Sequence, residues 1–382
     1  MTLKIGSLFS GYGGLDLAVQ SVYDAEHAWF CEFDPAPSKI LAHHWPDIPN
    51  LRDVTTVDWS TVEPIDILTG GFPCQDVSVA GRRAGMTDGT RSGLWSHMAH
   101  AIDILRPQLV VIENVGGLFS AEATSVMESH PLCLGDDGAG EHAVLLRAID
   151  AVLSTLSELG YDAEWTALRA SDAGAPHGRL RVFITAHPSC GGGGGRAALT
   201  LTGDEGGAHA EAQRAGGRPD LSEGTARLKI LPTPRASAGM SSPLRPGAKD
   251  TSRLEDAVAV NLLPTPSIAD TQGGRKTRSG DRSDELLLNG LAAAEAFGPY
   301  APAIERWERV IGRPAPSATE PGKARSRLSA RFVEWLMGLD AGHVTGVGLT
   351  RNQELKALGN GVVPQQGAAA LAHLHSIRST NP

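Results

Sequence analysis

Short apolar runs alternate with helically spaced stretches through the first half of the chain, and the runs tend to end in glycines or an acid. Residues 4–9 read as a buried strand ending in Ser10-Gly11-Tyr12-Gly13-Gly14, with a helix from about Leu15. Residues 28–31 read as a second strand and residues 35–44 as a helix. Residues 65–68 run as a strand into Gly70-Gly71-Phe72-Pro73-Cys74. Leu94, Met98, Ile102 and Leu105 repeat at helical spacing, and residues 109–112 form a short apolar strand leading to Glu113. Residues 143–159 read as helix and 181–186 as another strand. Strands alternating with helices predict an α/β domain built on a Rossmann-like, mostly parallel sheet with helices on both faces.

After Cys190 a run of five glycines breaks the pattern, and a stretch rich in Gly, Pro, Ala, Ser and Arg follows to about Ser326. It reads as a smaller, loop-rich module. Inside it Leu231-Pro232-Thr233-Pro234 is echoed by Leu263-Pro264-Thr265-Pro266. Periodicity returns at 330–339 and 365–377, which are expected to rejoin the first domain. The predicted division is therefore 1–187, 188–326 and 327–382. Charge divides in the same place. Residues 1–187 hold 11 Lys+Arg against 24 Asp+Glu, a net of −13, and the remainder holds 23 against 19, a net of +4. A polyanion is expected to meet the second half, although drifting surface charge explains that asymmetry equally well.

The cysteines, Cys31, Cys74, Cys133 and Cys190, are widely spaced and include no Cys-x-x-Cys pair, so neither a disulfide framework nor a zinc site is expected. With no secretory pattern at the N-terminus, this predicts a cytoplasmic protein.

Four strand ends carry the chemistry. The glycines at 11, 13 and 14 let a backbone turn sharply against a ligand, though alone they read as readily as a plain turn. Glu32 follows the second strand, where a carboxylate can hold ribose hydroxyls. Asp53 follows the next apolar segment and could accept from an adenine amino group. Taken singly, each acid is more readily a solvated loop residue; together they suit a nucleoside. Pro73-Cys74-Gln75 follows a strand and opens a segment containing Arg82 and Arg83, a setting that favours a thiolate. Glu113-Asn114-Val115 follows another strand, which puts an acid at the same sheet edge. A nucleophile and an acid together suit attack on a nitrogen heterocycle.

These residues, with Arg179-x-Arg181 and Gly359-Asn360-Gly361-Val362-Val363-Pro364, occur in the order found in DNA (cytosine-5) methyltransferases, and the chain resembles that family over nearly its whole length. The resemblance implies a class I S-adenosylmethionine-dependent methyltransferase fold, with 188–326 as a target-recognition domain. It implies that Phe9, Gly11 and Gly13 line the S-adenosylmethionine pocket. Glu32 would hold the ribose, Phe33 would stack near the adenine and Asp53 would bond its amino group, with Asn360 and Val362 completing the wall. Cys74 would attack C6 of a flipped cytosine while Glu113 engages N3, and Arg179 and Arg181 would grip the base carbonyl and a nearby phosphate. Flipping is required because C5 and C6 are enclosed by stacked neighbours. Double-stranded DNA is the implied partner, a monomer is expected, and a cognate restriction enzyme is the protein partner such a setting suggests.

Two positions depart from the family pattern: His177 stands where Gln is usual and Gly361 where Ser is frequent. Neither removes an essential group. A tRNA-methylating enzyme on the same scaffold fits the long second module less well. A silent DNA-binding protein would be expected to lose Cys74 or Glu113, and a nicotinamide oxidoreductase leaves both without a task. The recognition sequence is not readable, because no code converts reader loops into bases. Arg275, Lys276, Arg278 and Arg282 form the main basic cluster of the second module, and a solvated loop explains them as well as DNA contact does.

Overall fold

The structure, a computed structural model, describes residues 2–73, 93–119, 122–125, 144–189, 262–266, 277, 288–293, 298–322 and 326–380. Cys74, Arg82, Arg83 and the Arg275–Arg282 basic cluster lie outside the described residues. Elements β1 (Leu3–Leu8), α1 (Gly14–Val22), β2 (Ala25–Cys31), α2 (Pro35–His44), β3 (Ile67–Gly70), α3 (Leu94–Leu105) and β4 (Leu109–Val115) follow the expected alternation. Then come the hairpin β5 (Glu122–Ser125) and β6 (Val144–Arg147), α4 (Ala148–Glu158), β7 (Tyr161–Arg169) and β8 (Leu180–Pro188). Beyond 262 the described elements are α5 (Leu288–Ala293), α6 (Ala301–Ile311), β9 (Thr319–Glu320), β10 (Arg327–Leu328), α7 (Ala330–Leu336), α8 (Arg351–Asn360) and α9 (Pro364–Thr380).

Six strands form one sheet in the order β2-β1-β3-β4-β8-β7. β1 pairs in parallel with β2 and β3, and β3 with β4, whereas β8 runs antiparallel to both β4 and β7. Alternate residues of β4 feed two cores. Val110 and Ile112 pack with Met98 and Ile102 of α3 and Val152 and Leu156 of α4. Leu109 and Val111 pack with Val19 of α1 and Leu371 and Leu374 of α9. Burial on both faces is why the strand is continuously apolar. Among the described residues no helix is long and apolar enough to cross a membrane.

Four expectations change. The stretch 143–159 is not all helix, because Val144–Arg147 pairs as a strand with Glu122–Ser125 and the helix starts at Ala148. β7 is a strand that the apolar pattern does not reveal: as an edge strand it keeps Trp165 48% exposed. Glu113 lies within β4 rather than after it. Finally, the part of 188–326 near its end is not loop-rich throughout. α6 buries Trp307 in a cluster with Leu263, Leu288 and Leu291 and with Phe332, Trp335 and Leu336 of α7. The described residues of the second and third expected segments thus share one core.

Candidate active site

The carboxyl ends of β1, β2, β3 and β4 open into a cavity of about 670 Å³. Its wall includes Phe9, Gly11, Glu32, Phe33, Asp53, Pro73, Glu113, Arg181, Asn360 and Val362, contributed by segments from both ends of the chain. The size falls within the range of small-molecule and cofactor sites.

The first wall is the turn after β1. Phe9 adopts a left-handed backbone (φ +53°), a conformation that costs a non-glycine residue about 1–3 kcal/mol and clusters at ligand sites. Its N–H donates to the Cys31 carbonyl at 2.9 Å, locking the turn to β2. Gly13, also left-handed (φ +83°), caps α1; it does not line the cavity directly, and a Cβ there would meet the Trp45 ring at 2.9 Å. Beneath the turn, buried Asp16 accepts from Ser7 Oγ at 2.8 Å and Thr69 Oγ1 at 2.5 Å, clipping α1 to β1 and β3.

Glu32 sits just past β2 and is 8% exposed. Oε2 accepts from Gly11 N–H and Oε1 from Asp34 N–H, each at 2.8 Å. Burial raises its pKa, and those two N–H donors work against the rise. Asn50, which no spacing rule singles out, grips the Glu32 main chain from both sides: Oδ1 accepts from Glu32 N–H at 2.9 Å and Nδ2 donates to Glu32 O at 3.2 Å. Phe33 presents its ring 69% exposed at the cavity wall. Asp53 is at the rim, and its Oδ1 accepts from Thr55 N–H at 3.0 Å and Thr55 Oγ1 at 2.8 Å, which lowers its pKa.

At the other end stands Glu113, also 8% exposed. The antiparallel register sets Glu113 opposite Phe183 and Val115 opposite Arg181, so Glu113 and Arg181 are diagonal neighbours on one sheet face, within reach of long side chains. Arg181 Nε stands 2.7 Å from Glu113 Oε1, but no hydrogen bond is aligned with that oxygen. The contact is an ion pair. Burial pushes the Glu113 carboxyl up, and the charges of Arg181 and Arg179 hold it back. Asn114 Nδ2 donates to Phe72 O at 3.2 Å, which fixes the chain entering Pro73, the last described residue before Cys74.

Arg179 departs from the expectation that it grips a base or phosphate. It is 2% exposed, is not at the cavity wall, and donates to the carbonyls of Gly359, Gly361 and Pro266. Burial lowers its pKa to about 9. His177 is fully buried, and its Nε2 lies 3.0 Å from Leu336 O. That carbonyl can only accept, so Nε2 carries the proton and Nδ1 is an unpaired acceptor. Burial lowers its pKa to about 3. At the far wall Tyr12 Oη donates to Val362 O at 2.6 Å, and a Cβ on Gly361 would lie 1.8 Å from the Tyr12 ring. The glycine at 361 is what lets Tyr12 pack there. The site therefore unites Phe9, Gly11, Glu32, Phe33, Asp53, Glu113, Arg181, Asn360 and Val362 around one cavity, with Gly13 and Arg179 behind it.

Comparison with known proteins adds an independent line. Residues 3–189 match the model of the family described as C-5 cytosine-specific DNA methylase. Over 188 residues, 48% of this chain, it is 29% identical to the Type II methyltransferase M.NlaIV of Neisseria lactamica, covering 41% of that protein. A 131-residue stretch, 31% of this chain, is 37% identical to a DNA N-6-adenine-methyltransferase of Escherichia phage P1 and spans 17% of it. The chain thus spans about half or less of the length of the curated relatives it matches. The S. pombe Dnmt2 methyltransferase structure superposes with a TM-score of 0.51 over 100% of both chains at 12% identity, a likeness of fold.

Proposed function

We propose that this chain, whose residues 3–189 match the model of the C-5 cytosine-specific DNA methylase family, methylates carbon 5 of a cytosine flipped out of duplex DNA. Its fold is that of the class I S-adenosylmethionine-dependent methyltransferases. One observation carries the reading: a single cavity has the backbone-braced carboxylate of Glu32 at one end and the Glu113–Arg181 pair at the other. The residues fit S-adenosylmethionine. Glu32 keeps lone pairs for ribose hydroxyls, Phe33 offers an exposed ring to an adenine, Asp53 accepts at the rim, and nothing occupies the space beside Gly11. Phe9, Asn360 and Val362 close the walls, and Gly13 sets the turn. When bound, that donor supplies an electrophilic methyl group.

The chain's own residues do the rest. Cys74 adds as thiolate to C6 of the base, forming the S–C6 bond, while Glu113 holds a proton at N3. Charge that would gather on the ring is thereby neutralised, and C5 becomes nucleophilic. Arg181 holds the carboxyl of Glu113 and faces the base carbonyl. Once C5 carries the methyl group, a solvent base takes the C5 proton, the C–H electrons re-form the C5–C6 double bond, and the S–C6 bond breaks to release Cys74 as thiolate. Residues 1–187 act as the catalytic domain, 188–326 as the target-recognition domain on double-stranded DNA, and 327–382 as the segment completing the cofactor wall. The described residues of the middle segment from Leu263 on pack back on the last one.

The test is to express the gene in a host lacking its own methylation and to analyse nucleosides from genomic DNA and RNA. The expected product is 5-methylcytosine in DNA, abolished by Cys74→Ser. N6-methyladenine instead, or 5-methylcytosine in RNA alone, would overturn the assignment.

A further inference from the structure

Beyond Gln353, Lys356 and Ala357 of α8, the cavity wall ends in a four-residue strap, Gly359-Asn360-Gly361-Val362, that closes α8 and leads towards α9. Its two glycines offer no side chain to pack, and glycine backbone is the most expensive to order. The helix end holds it from one side, with Gly361 N–H donating to Ala357 O at 3.1 Å. Two side chains hold its carbonyls. Tyr12 Oη donates to Val362 O, and the Arg179 guanidinium forks around the rest. Arg179 Nη1 and Nη2 each donate to Gly359 O at 3.1 Å, and Nη2 also donates to Gly361 O at 2.5 Å. Nη1 reaches Pro266 O at 3.3 Å as well, at the end of the second Leu-Pro-Thr-Pro. The main chain of Arg179 is fixed in turn, since its carbonyl accepts from Ala170 N–H at 3.0 Å and from Gln366 Nε2 of α9 at 2.8 Å.

A buried cation is costly, and an apolar side chain of similar volume is often neutral or better for stability. Here each hydrogen bond made by the guanidinium among the described residues ends on a main-chain carbonyl, and three of the four end on the strap. That geometry commits both terminal nitrogens of a planar, five-donor fork, while buried Nε has no hydrogen-bond partner among the described residues. Segment 263–266 is itself anchored, with Leu263 N–H donating to Pro176 O at 2.7 Å and its side chain buried beside α7.

We propose that Arg179 is a positioning residue that latches the glycine strap 359–361 onto the methyl-donor cavity and ties it to segment 263–266. Affinity for the donor then depends on a side chain that touches neither donor nor DNA. The latch rests on the reading of the cavity as an S-adenosylmethionine site.

The experiment compares wild type, Arg179→Lys and Arg179→Ala by calorimetric titration with S-adenosylhomocysteine and by salt-dependent binding to a random-sequence duplex, with Tm recorded throughout. Lysine keeps the charge but reaches at most part of the strap. The latch predicts roughly tenfold weaker cofactor affinity for Arg179→Lys, as expected for losing a charge-assisted hydrogen bond, with an unchanged salt slope. Tyr12→Phe, which removes the other tie to the strap, should show the same pattern. A slope reduced by about 0.9 with cofactor affinity intact makes Arg179 a phosphate ligand and overturns the latch. Unchanged affinity and slope overturn it too. So does loss of both bindings together with a collapsed Tm in Arg179→Lys, the signature of a purely structural residue. If Arg179→Ala does not fold, Lys and Phe decide. Wild-type protein without affinity for S-adenosylhomocysteine overturns the function on which the latch rests, and the latch with it.

Discussion

Glu32 and Glu113 are equally buried, at 8% exposure, and line the same cavity, yet their surroundings differ. Glu32 receives two aligned main-chain N–H groups, and its own main chain is held by Asn50. Glu113 faces Arg181 at 2.7 Å without an aligned hydrogen bond at Oε1, and burial raises its carboxyl against the pull of two guanidinium groups. A carboxylate whose hydrogen bonds are supplied by the main chain is a fixed acceptor: it can hold a ligand but gains little by changing protonation. A buried carboxyl with an oxygen lacking an aligned donor can change partner and proton during a reaction. Under the proposed function, the same residue type would serve for holding at one end and for proton handling at the other.

Glu113→Gln should break this contrast most strongly. The amide still donates to N3 but cannot deliver a proton, so the single-turnover rate should fall roughly 10²–10⁴-fold while cofactor affinity holds. An unchanged rate under single-turnover conditions means that another group handles the proton. Glu32→Ala should give the complementary result. It strands the Gly11 and Asp34 N–H groups and removes the ribose acceptor, and hydrogen bonds to charged groups are worth about 1.5–3 kcal/mol. Cofactor binding by calorimetry should weaken accordingly, while the rate at saturating donor stays near wild type. Equal damage to binding and rate would erase the division of labour.

Gly361→Ser tests the far wall. The new Cβ collides with the Tyr12 ring, and overpacking of this kind costs about 1–3 kcal/mol, which should appear as a lower Tm and weaker cofactor binding. Tyr12→Ala in that background should recover part of both; a simple sum of the two losses would show that the residues are uncoupled. The smallest effect is expected at His177, a third buried titratable group that faces away from the cavity. Its folded pKa of about 3 lies below its unfolded value, so its stabilisation is complete above the unfolded pKa and is lost as pH falls towards 3. The loss reaches about 1 kcal/mol by pH 6. His177→Gln should remove that loss, as read by urea unfolding at pH 8 and pH 6.

The sheet was legible because strands buried on both faces must be apolar throughout, as residues 109–112 show. β7 was not, since Trp165, Glu164 and other partly exposed residues blur an edge strand's alternation. The run at 144–147 is too short for periodicity to separate strand from helix. α6 carried readable punctuation, with Pro302 in its first turn and Gly312 at its C-cap, but was masked by the Gly- and Pro-rich composition around it. In the site, strand ends pointed to Glu32 and Glu113 because backbone position alone brings them to one edge. Arg179 was assigned to the base carbonyl and a phosphate through the family resemblance, alongside Arg181 two residues on. Spacing fixes which face a residue starts from, not where a long side chain ends. Asn50 and the Tyr12–Gly361 contact left no local trace, because each depends on segments brought together only by folding.

The meeting of Tyr12 with Gly361 and Val362 has a consequence for the order in which the protein is made. Glu32 and Glu113 emerge early from the ribosome, but the wall opposite them does not exist until residue 362 has been synthesised. A chain stalled or cut within its middle stretch carries both acids and no enclosed space between them. Synthesis through residue 362 is therefore a checkpoint on the cavity itself, and two fragments divided in that stretch would have to reassemble before either could enclose a ligand there.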